Sequence, residues 1–355
     1  MRLGSRGGRK DPPVEFPAVA ILFTAHERFL EHDTGPGHPE RPSRMQAVDA
    51  GVAAADLREA LVPVEPVPAA LEAIERVHPG RYVAALDRFC QAGGGYLDAD
   101  THVGSGSFEA ARLAAGSGLE VADRLAAGEG EVAFCALRPP GHHAGATKAM
   151  GFCLFNNVAV TAAALAGRGE RVLIVDYDAH HGNGTQDIFY EDPGVMYVSF
   201  HEWPLFPGTG RADETGAGAG LGTTINLPFP AGTTGEHYRR AVDEVLAPAA
   251  AGFGPTWLLL SAGFDAHRRD PLAGLALTAG DFADLTRTIC ALVPAGRRIL
   301  FLEGGYDLEA LSLSVGASLA GLVGRNYRPE APSSGGPGGE VVDAALKKRV
   351  RTSDG

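Results

Sequence analysis

Three features of the sequence predict an α/β fold with a mostly parallel central sheet and helices on both faces. Short aliphatic runs alternate with helical patterns along the chain, the order that builds strand–helix–strand units. The runs are continuously apolar, as in "VLIV" at 172–175, which calls for burial on both faces of the sheet. Histidine, aspartate and tyrosine follow the runs directly, and ligand sites in such sheets lie beyond the carboxyl ends of the strands.

Strands are expected at 19–23, 132–137, 172–176, 195–200, 257–261 and 299–302, each an aliphatic run closed by a polar or glycine-containing turn. Helices are expected at 39–54, 107–127, 156–166, 235–251, 279–292 and 308–322. No linker and no internal repeat interrupts the series, so residues 18–327 read as a single catalytic domain. Residues 1–17 read as a loose N-terminal segment. Residues 328–355 read as a flexible C-terminal tail, because "PEAPSSGGPGGE" is a Pro/Gly/Ser cluster.

The 355 residues are 45% hydrophobic and 21% charged, the composition of a globular protein. A net charge of −12 argues against a nucleic-acid partner and suits a cationic one, such as a lysine-rich peptide or a polyamine. Cys90, Cys135, Cys153 and Cys290 form no paired motif and read as reduced thiols of a cytoplasmic protein. The basic start carries no apolar signal core, and no run approaches the length of a membrane span, so no membrane partner is expected.

The chemistry lies at the strand ends. Asp178 and His180 stand two apart after 172–176 and in extended chain project to one side, so both can reach one ion. Asp265, after 257–261, can supply a third ligand. Three N/O ligands with an open position describe a catalytic zinc, although the donor types also admit Fe(II), and a plain polar loop is the alternative. His142 and His143 can move the proton of a bound water, with Asp176 and Asn183 as orienting partners. Tyr306 can donate to a developing oxyanion, or simply pack in its Gly-Gly turn. Phe152 and Phe206 can wall a tunnel for an aliphatic chain, or simply pack.

Taken together, "HDTGPGHPERPSR" (32–44), "DADTHV" (98–103), "RPPGHHA" (138–144), "GFCLFNNVAV" (151–160), "DYDAHHGNGTQ" (176–186), "GFDAHRRDPLAG" (263–274) and "EGGYD" (303–307) resemble the histone deacetylase superfamily. The similarity runs in family order over about 19–325 and is nearest to the class II-like bacterial amidohydrolases. It implies the three-layer arginase/deacetylase fold with about eight strands. It also implies zinc on Asp178, His180 and Asp265, with His143 as general base and His142 as its more buried, electrostatic partner. Asp176 would orient His142, Asn183 would stand behind His143, and Tyr306 would polarise the amide carbonyl.

Substrate contacts implied by the resemblance are Phe152 and Phe206 along the acyl-lysine stem, the Gly151 carbonyl, Gly304, Leu272, Asp100, and Arg41 lining an inner channel for acetate. A structural K⁺ is implied at Asp176, Asp178, His180, Ser199 and Phe200, and a second near Phe189, Asp192 and Val195. The implied reaction is hydrolysis of an N-acetyl amide, most typically acetyl-lysine in a protein or peptide, and a homo-oligomer is compatible with it. Tyr306 and Leu272 favour an active lysine deacylase over a polyamine-selective one. Alternatives are an acetylpolyamine or other small-molecule amidohydrolase, a catalytically silent acyl-lysine reader, and a binuclear arginase-like hydrolase. In the last, His267 would ligate a second metal; otherwise it is a rim histidine.

Overall fold

The computed structural model describes residues 19–353, with side chains through 348. The segment 1–17 therefore lies outside the described residues. The strands are β1 (Ile21–Thr24), β2 (Leu61–Pro63), β3 (Gly95–Tyr96), β4 (His102–Val103), β5 (Val132–Cys135), β6 (Val172–Asp176), β7 (Val195–Glu202), β8 (Thr224–Phe229), β9 (Trp257–Ala262) and β10 (Arg298–Leu302). β3 and β4 form a small antiparallel pair. The other eight make one sheet in the order β2-β1-β5-β10-β9-β6-β7-β8, all parallel.

The six expected aliphatic runs supply the interior of this sheet. The two strands that the runs did not announce, β2 and β8, are its edges. Their burial is incomplete and each carries a proline, which only an edge tolerates, so neither shows the continuous apolar signature. Both faces of the sheet are covered. Along β6, Leu173 and Val175 enter one apolar cluster while Val172 and Ile174 enter the other. The five strands with chemistry at their ends, β5, β10, β9, β6 and β7, are contiguous in the middle. Asp176, the last residue of β6, is level with Ser199 on one side and Ser261 on the other, so the ends open into one crevice.

The helices follow the expected ranges with local changes. The one predicted from 39 begins at Ser43, because Pro39 to Pro42 lead into it as a non-helical segment with its own polar contacts. The 235–251 prediction becomes Gly235–Ala241, a π-type turn over Val242–Leu246, and Ala247–Phe253. Helix Ala279–Cys290 starts with a capping box between Thr278 and Asp281. Helices at Gly80–Gln91, Asn183–Phe189 and Gly339–Ser353 were not anticipated.

The tail expectation is corrected over the described residues beyond 327. Glu330 accepts hydrogen bonds from Ala279 N (2.9 Å) and faces His267 Nε2 at 2.7 Å. Thr278 Oγ1 donates to the Ala331 carbonyl, and Ser333 Oγ accepts from Gly235 N. Ser333 N in turn donates to buried Asp281. Val342, on the last helix, is fully buried. Composition suggested disorder because it hides these partners: the strap's backbone is satisfied by side chains far away in sequence. Deleting 328–355 is expected to cost about 3–6 kcal/mol, from lost apolar burial and orphaned Asp281 and His267. Calorimetry reads this as a Tm lower by about 5–15 °C; an unchanged Tm would mean the strap adds nothing.

All four cysteines are free and buried. Among the described residues no helix is long and apolar enough to cross a membrane.

Candidate active site

At the end of β6 the chain turns so that Asp178 Oδ1 accepts from His180 N (2.9 Å), while Oδ2 accepts from Gly304 N (2.8 Å) beyond β10. Asp265, beyond β9, accepts from Ala179 N through Oδ1 (2.7 Å). These bonds aim the remaining donor capacity at one point. His180 Nδ1 lies 3.0 Å from Asp265 Oδ2 and 3.2 Å from Asp178 Oδ1. One ligand atom from each of Asp178, His180 and Asp265 falls within 4.8 Å of the others. Ligands about 2.0 Å from a tetrahedral ion stand about 3.3 Å apart, and the two His180 separations match that spacing.

Close approach explains two glycines here. A Cβ on Gly263 would meet Asp178 Oδ2 at 2.0 Å, and one on Gly304 would meet Asp265 Oδ2 at 2.1 Å. The electrostatics also ask for positive charge. Burial and the Asp178 carboxylate push Asp265 up to about 7, against the pull of His180. His180, although desolvated, is held well above its ordinary value by Asp178 and Asp265.

The two histidines beyond β5 have separate partners. His142 Nδ1 faces Asp176 Oδ2 at 3.1 Å, and His143 Nδ1 faces Asn183 Oδ1 at 2.9 Å. Asp176 also accepts from Tyr197 Oη (3.1 Å) and Asp178 N (3.1 Å), which fixes it behind His142. Burial works against a charge on His142, but Asp178 and Asp176 outweigh it and raise its pKa to about 10. His143 goes the other way: burial, then the neighbouring His142 and His180, hold it well below the usual range. A neutral His143 donating from Nδ1 to the Asn183 carbonyl oxygen keeps Nε2 as an acceptor.

A cavity of about 210 Å³ is lined by Asp100, His143, Gly151, Phe152, His180, Leu205, Phe206, Leu272 and Tyr306. Phe206 stands edge-on to His143 (5.2 Å between centroids), and Phe152 edge-on to Tyr306 (5.8 Å). Burial raises the Tyr306 phenol well above its ordinary pKa, against the pull of Arg44, so it remains a proton donor.

Three expected placements change. Arg41 is exposed; the buried guanidinium below Tyr306 is Arg44, 5.2 Å from the ring centroid. Both arginines stand in the same "RPSR" stretch, but only Arg44 belongs to the helix that starts at Ser43 and it is on that helix's buried side. Gly304 is absent from the cavity lining and spends its N–H on Asp178. His267 is neither a ligand nor a rim residue: it is fully buried and holds Glu330 of the strap. Ser199 Oγ bonds His201 Nδ1 (2.9 Å), and the Phe200 ring packs against Phe229 and Tyr238.

Residue-by-residue reading also missed Glu303 and His38, although both stand inside quoted motifs. Glu303 accepts from Gly141 N (2.7 Å) and His142 N (3.2 Å), fixing the histidine loop. Burial, opposed by His142, pushes its carboxyl up to about 7. His142, Cys153 and Glu303 also lie close enough together to suggest a metal set. Glu303 is already committed to Gly141, His142 and Ser261, however, and burial drives the Cys153 thiol well above its usual range, against thiolate ligation. His38 Nε2 lies 3.0 Å from the Asp100 carbonyl, with its ring edge-on to Phe152 at 4.6 Å.

A crevice beyond a parallel sheet, with a carboxylate–imidazole–carboxylate trio beside paired histidines, is the arrangement of a metal-type hydrolase. The histone deacetylase domain matches residues 38–322. A probable deacetylase of Archaeoglobus fulgidus is 40% identical over 331 residues, covering 88% of this chain and 90% of its own. A histone deacetylase-like amidohydrolase of Pseudomonas aeruginosa is 37% identical over 285 residues, 79% of this chain and 75% of its own. The crystal structure of the HDA15 HD domain superposes with a TM-score of 0.86 at 36% identity, covering 94% and 95% of the two chains. The chain belongs to the histone deacetylase family, has its arginase/deacetylase fold, and is a deacetylase-type amidohydrolase.

Proposed function

We propose that this chain is a zinc-dependent deacetylase acting on N-acetyl amides, with acetyl-lysine in proteins or peptides as the favoured substrate class. One observation carries the reading: an apolar-walled cavity reaches His143, His180 and Tyr306 together. Phe152, Phe206, Leu205 and Leu272 suit the methylene stem of a lysine, and the polar end suits its amide. Zinc on Asp178, His180 and Asp265 would supply the Lewis acidity that activates water and polarises the carbonyl.

The chain's own groups do the rest. His143 Nε2 takes the proton of the attacking water and returns it to the departing amine. His142, held by Asp176, supplies positive charge beside it. The Tyr306 hydroxyl donates to the carbonyl oxygen as negative charge builds there. The Gly151 carbonyl, at the cavity wall, accepts the substrate amide N–H, and Asp100 contacts the substrate at the mouth.

The carbonyls of Asp178 and His180 accept no hydrogen bond among the described residues, which suits oxygen ligands for K⁺ together with Asp176, Ser199 and Phe200. A second K⁺ would use the turn at Phe189, Asp192 and Val195, where Gly194 N already donates to Asp192 Oδ1. Leu272 leaves the cavity wall apolar where a polyamine ammonium would want a carboxylate, and this favours lysine over acetylpolyamines.

The test is hydrolysis of an acetyl-lysine peptide, a trifluoroacetyl-lysine peptide and N-acetylputrescine, each with and without chelator. Lysine-peptide turnover is expected to vanish with chelator and to fall about 100–1000-fold in Tyr306→Phe, the loss typical of one oxyanion donor. Turnover confined to acetylputrescine would overturn the substrate assignment, and chelator-resistant turnover the metal.

A further inference from the structure

The buried carboxylates of the site fall into two kinds. Asp176, Asp178, Asp265 and Glu303 already have places around the metal trio and the histidines. Asp270 does not. It sits in the loop after Asp265, is 7% exposed, and is not part of the close Asp178–His180–Asp265 group. Its Oδ2 accepts from Tyr306 N (2.7 Å) and Asp307 N (3.3 Å), and its Oδ1 accepts from Leu272 N (3.0 Å). Neighbouring Arg269 turns away to Glu309 and Asp307, so among the described residues the carboxylate is held by backbone N–H groups.

We propose that Asp270 is a positioning residue for Tyr306: its carboxylate fixes the backbone that aims the phenol and ties it to the Leu272 wall. This rests on the role given above to Tyr306.

The need for such a tether follows from the local chain. Tyr306 comes after Gly304 and Gly305, and Gly305 has φ +121°, a conformation that side-chain-bearing residues avoid. Two glycines leave the approach to Tyr306 without its own preference. One side is fixed by Arg44 Nε, which donates to the Gly305 carbonyl (2.8 Å). On the far side Asp307 caps helix Leu308–Leu322 by accepting from Ala310 N (2.8 Å). Asp270 is the clamp between them, and among the described residues it is the group that holds the Tyr306 amide. An angular error at that amide is magnified along the whole tyrosine side chain, and displacements of about 1 Å cost roughly 100-fold in rate. Asparagine is a poor replacement, since one of its two heads is an amide donor facing N–H groups.

The test compares Asp270→Asn and Asp270→Ser in the wild-type and Tyr306→Phe backgrounds with an acetyl-lysine peptide. In the wild type, kcat is expected to fall about 30–100-fold, with KM within about 3-fold and bound metal unchanged. In Tyr306→Phe the same substitutions are expected to cost less than about 3-fold, because the hydroxyl they position is already gone. Equal losses in both backgrounds, or a loss confined to KM, would overturn the proposal. A crystal structure of Asp270→Asn gives a readout independent of turnover. The Tyr306 ring should leave its place beside Phe152 while Asp178, His180 and Asp265 stay fixed, and an unmoved ring overturns the proposal whatever the kinetics. If Tyr306→Phe itself proves fully active, the catalytic reading of Tyr306 fails, and the structure still decides whether Asp270 positions the residue.

Discussion

Asp265→Asn is expected to fold, to lose zinc, and to lose at least about 1000-fold in kcat/KM on an acetyl-lysine peptide, more than the 10–100-fold typical of an outer-shell change. The structure gives this a signature beyond lost turnover. Asp265 and Asp178 are both fully buried, and their mutual repulsion with desolvation pushes Asp265 up to about 7. Without a cation the pair is a cost to the fold; with one it is a binding site. The wild type should therefore gain about 4 kcal/mol when free zinc is 1000 times its Kd. In chelator, Asp265→Asn should be as stable as the wild type or more so, and zinc should leave its Tm unmoved. Calorimetry with metal analysis checks both halves. A wild-type Tm indifferent to chelator, with an active variant, would remove the metal from the mechanism.

The contrast between what the sequence shows and what it hides is physical. A residue whose role follows from its position after a buried strand is legible, because the sheet does the placing. The placement of His142, His143, Asp178, His180 and Asp265 follows in this way, from the ends of β5, β6 and β9, which lie within four adjacent strands. Residues that act by inward rotation on a helix or by long-range pairing are not legible this way. Arg44 rather than Arg41 is buried because Arg44 lies on the first turn of the helix while Arg41 stands before it, a boundary that a short motif does not state. The strap at 328–348 is ordered by Asp281 and His267, neither of which appears in its local composition. Edge strands β2 and β8 escape for a third reason: half-buried and proline-bearing, they lack the apolar continuity that marks the interior strands.

A second large effect is expected from Glu40→Gln, at a residue outside the cavity lining. Glu40, Arg44 and Arg138 are all fully buried. Arg138 grips the Glu40 carboxylate through Nε and Nη2, and Arg44 Nη1 joins at 3.1 Å. Arg138 also donates to the Phe29 carbonyl (2.8 Å) and Arg44 to those of Gly305 (2.8 Å) and Glu303. The triad thus ties the segment before the first helix to the loops carrying His142 and Tyr306. Losing the one anion leaves two guanidiniums buried together, a cost of about 3–5 kcal/mol from a total near 5–15.

The pH dependence separates this from generic damage. Burial alone would raise Glu40, but Arg138 outweighs it and holds the carboxyl down to about 2. The unfolded chain takes this proton near 4.5, so the group's stabilisation is complete above that and is lost as pH falls through about 2. His32 and His78 act in a higher window. Burial lowers both to about 4, so the unfolded chain protonates first and stability declines from about 6.5 towards 4. Glu40 pulls His32 up against that burial, so the Glu40→Gln change lowers His32 further. Urea unfolding at pH 7, 5 and 3, with His32→Gln in both proteins to remove that second titration, should give a gap of about 3–5 kcal/mol at the two higher values, narrowing by about 2 kcal/mol at pH 3. A gap constant down to pH 3 would show that the ionised Glu40 is not what the two arginines hold.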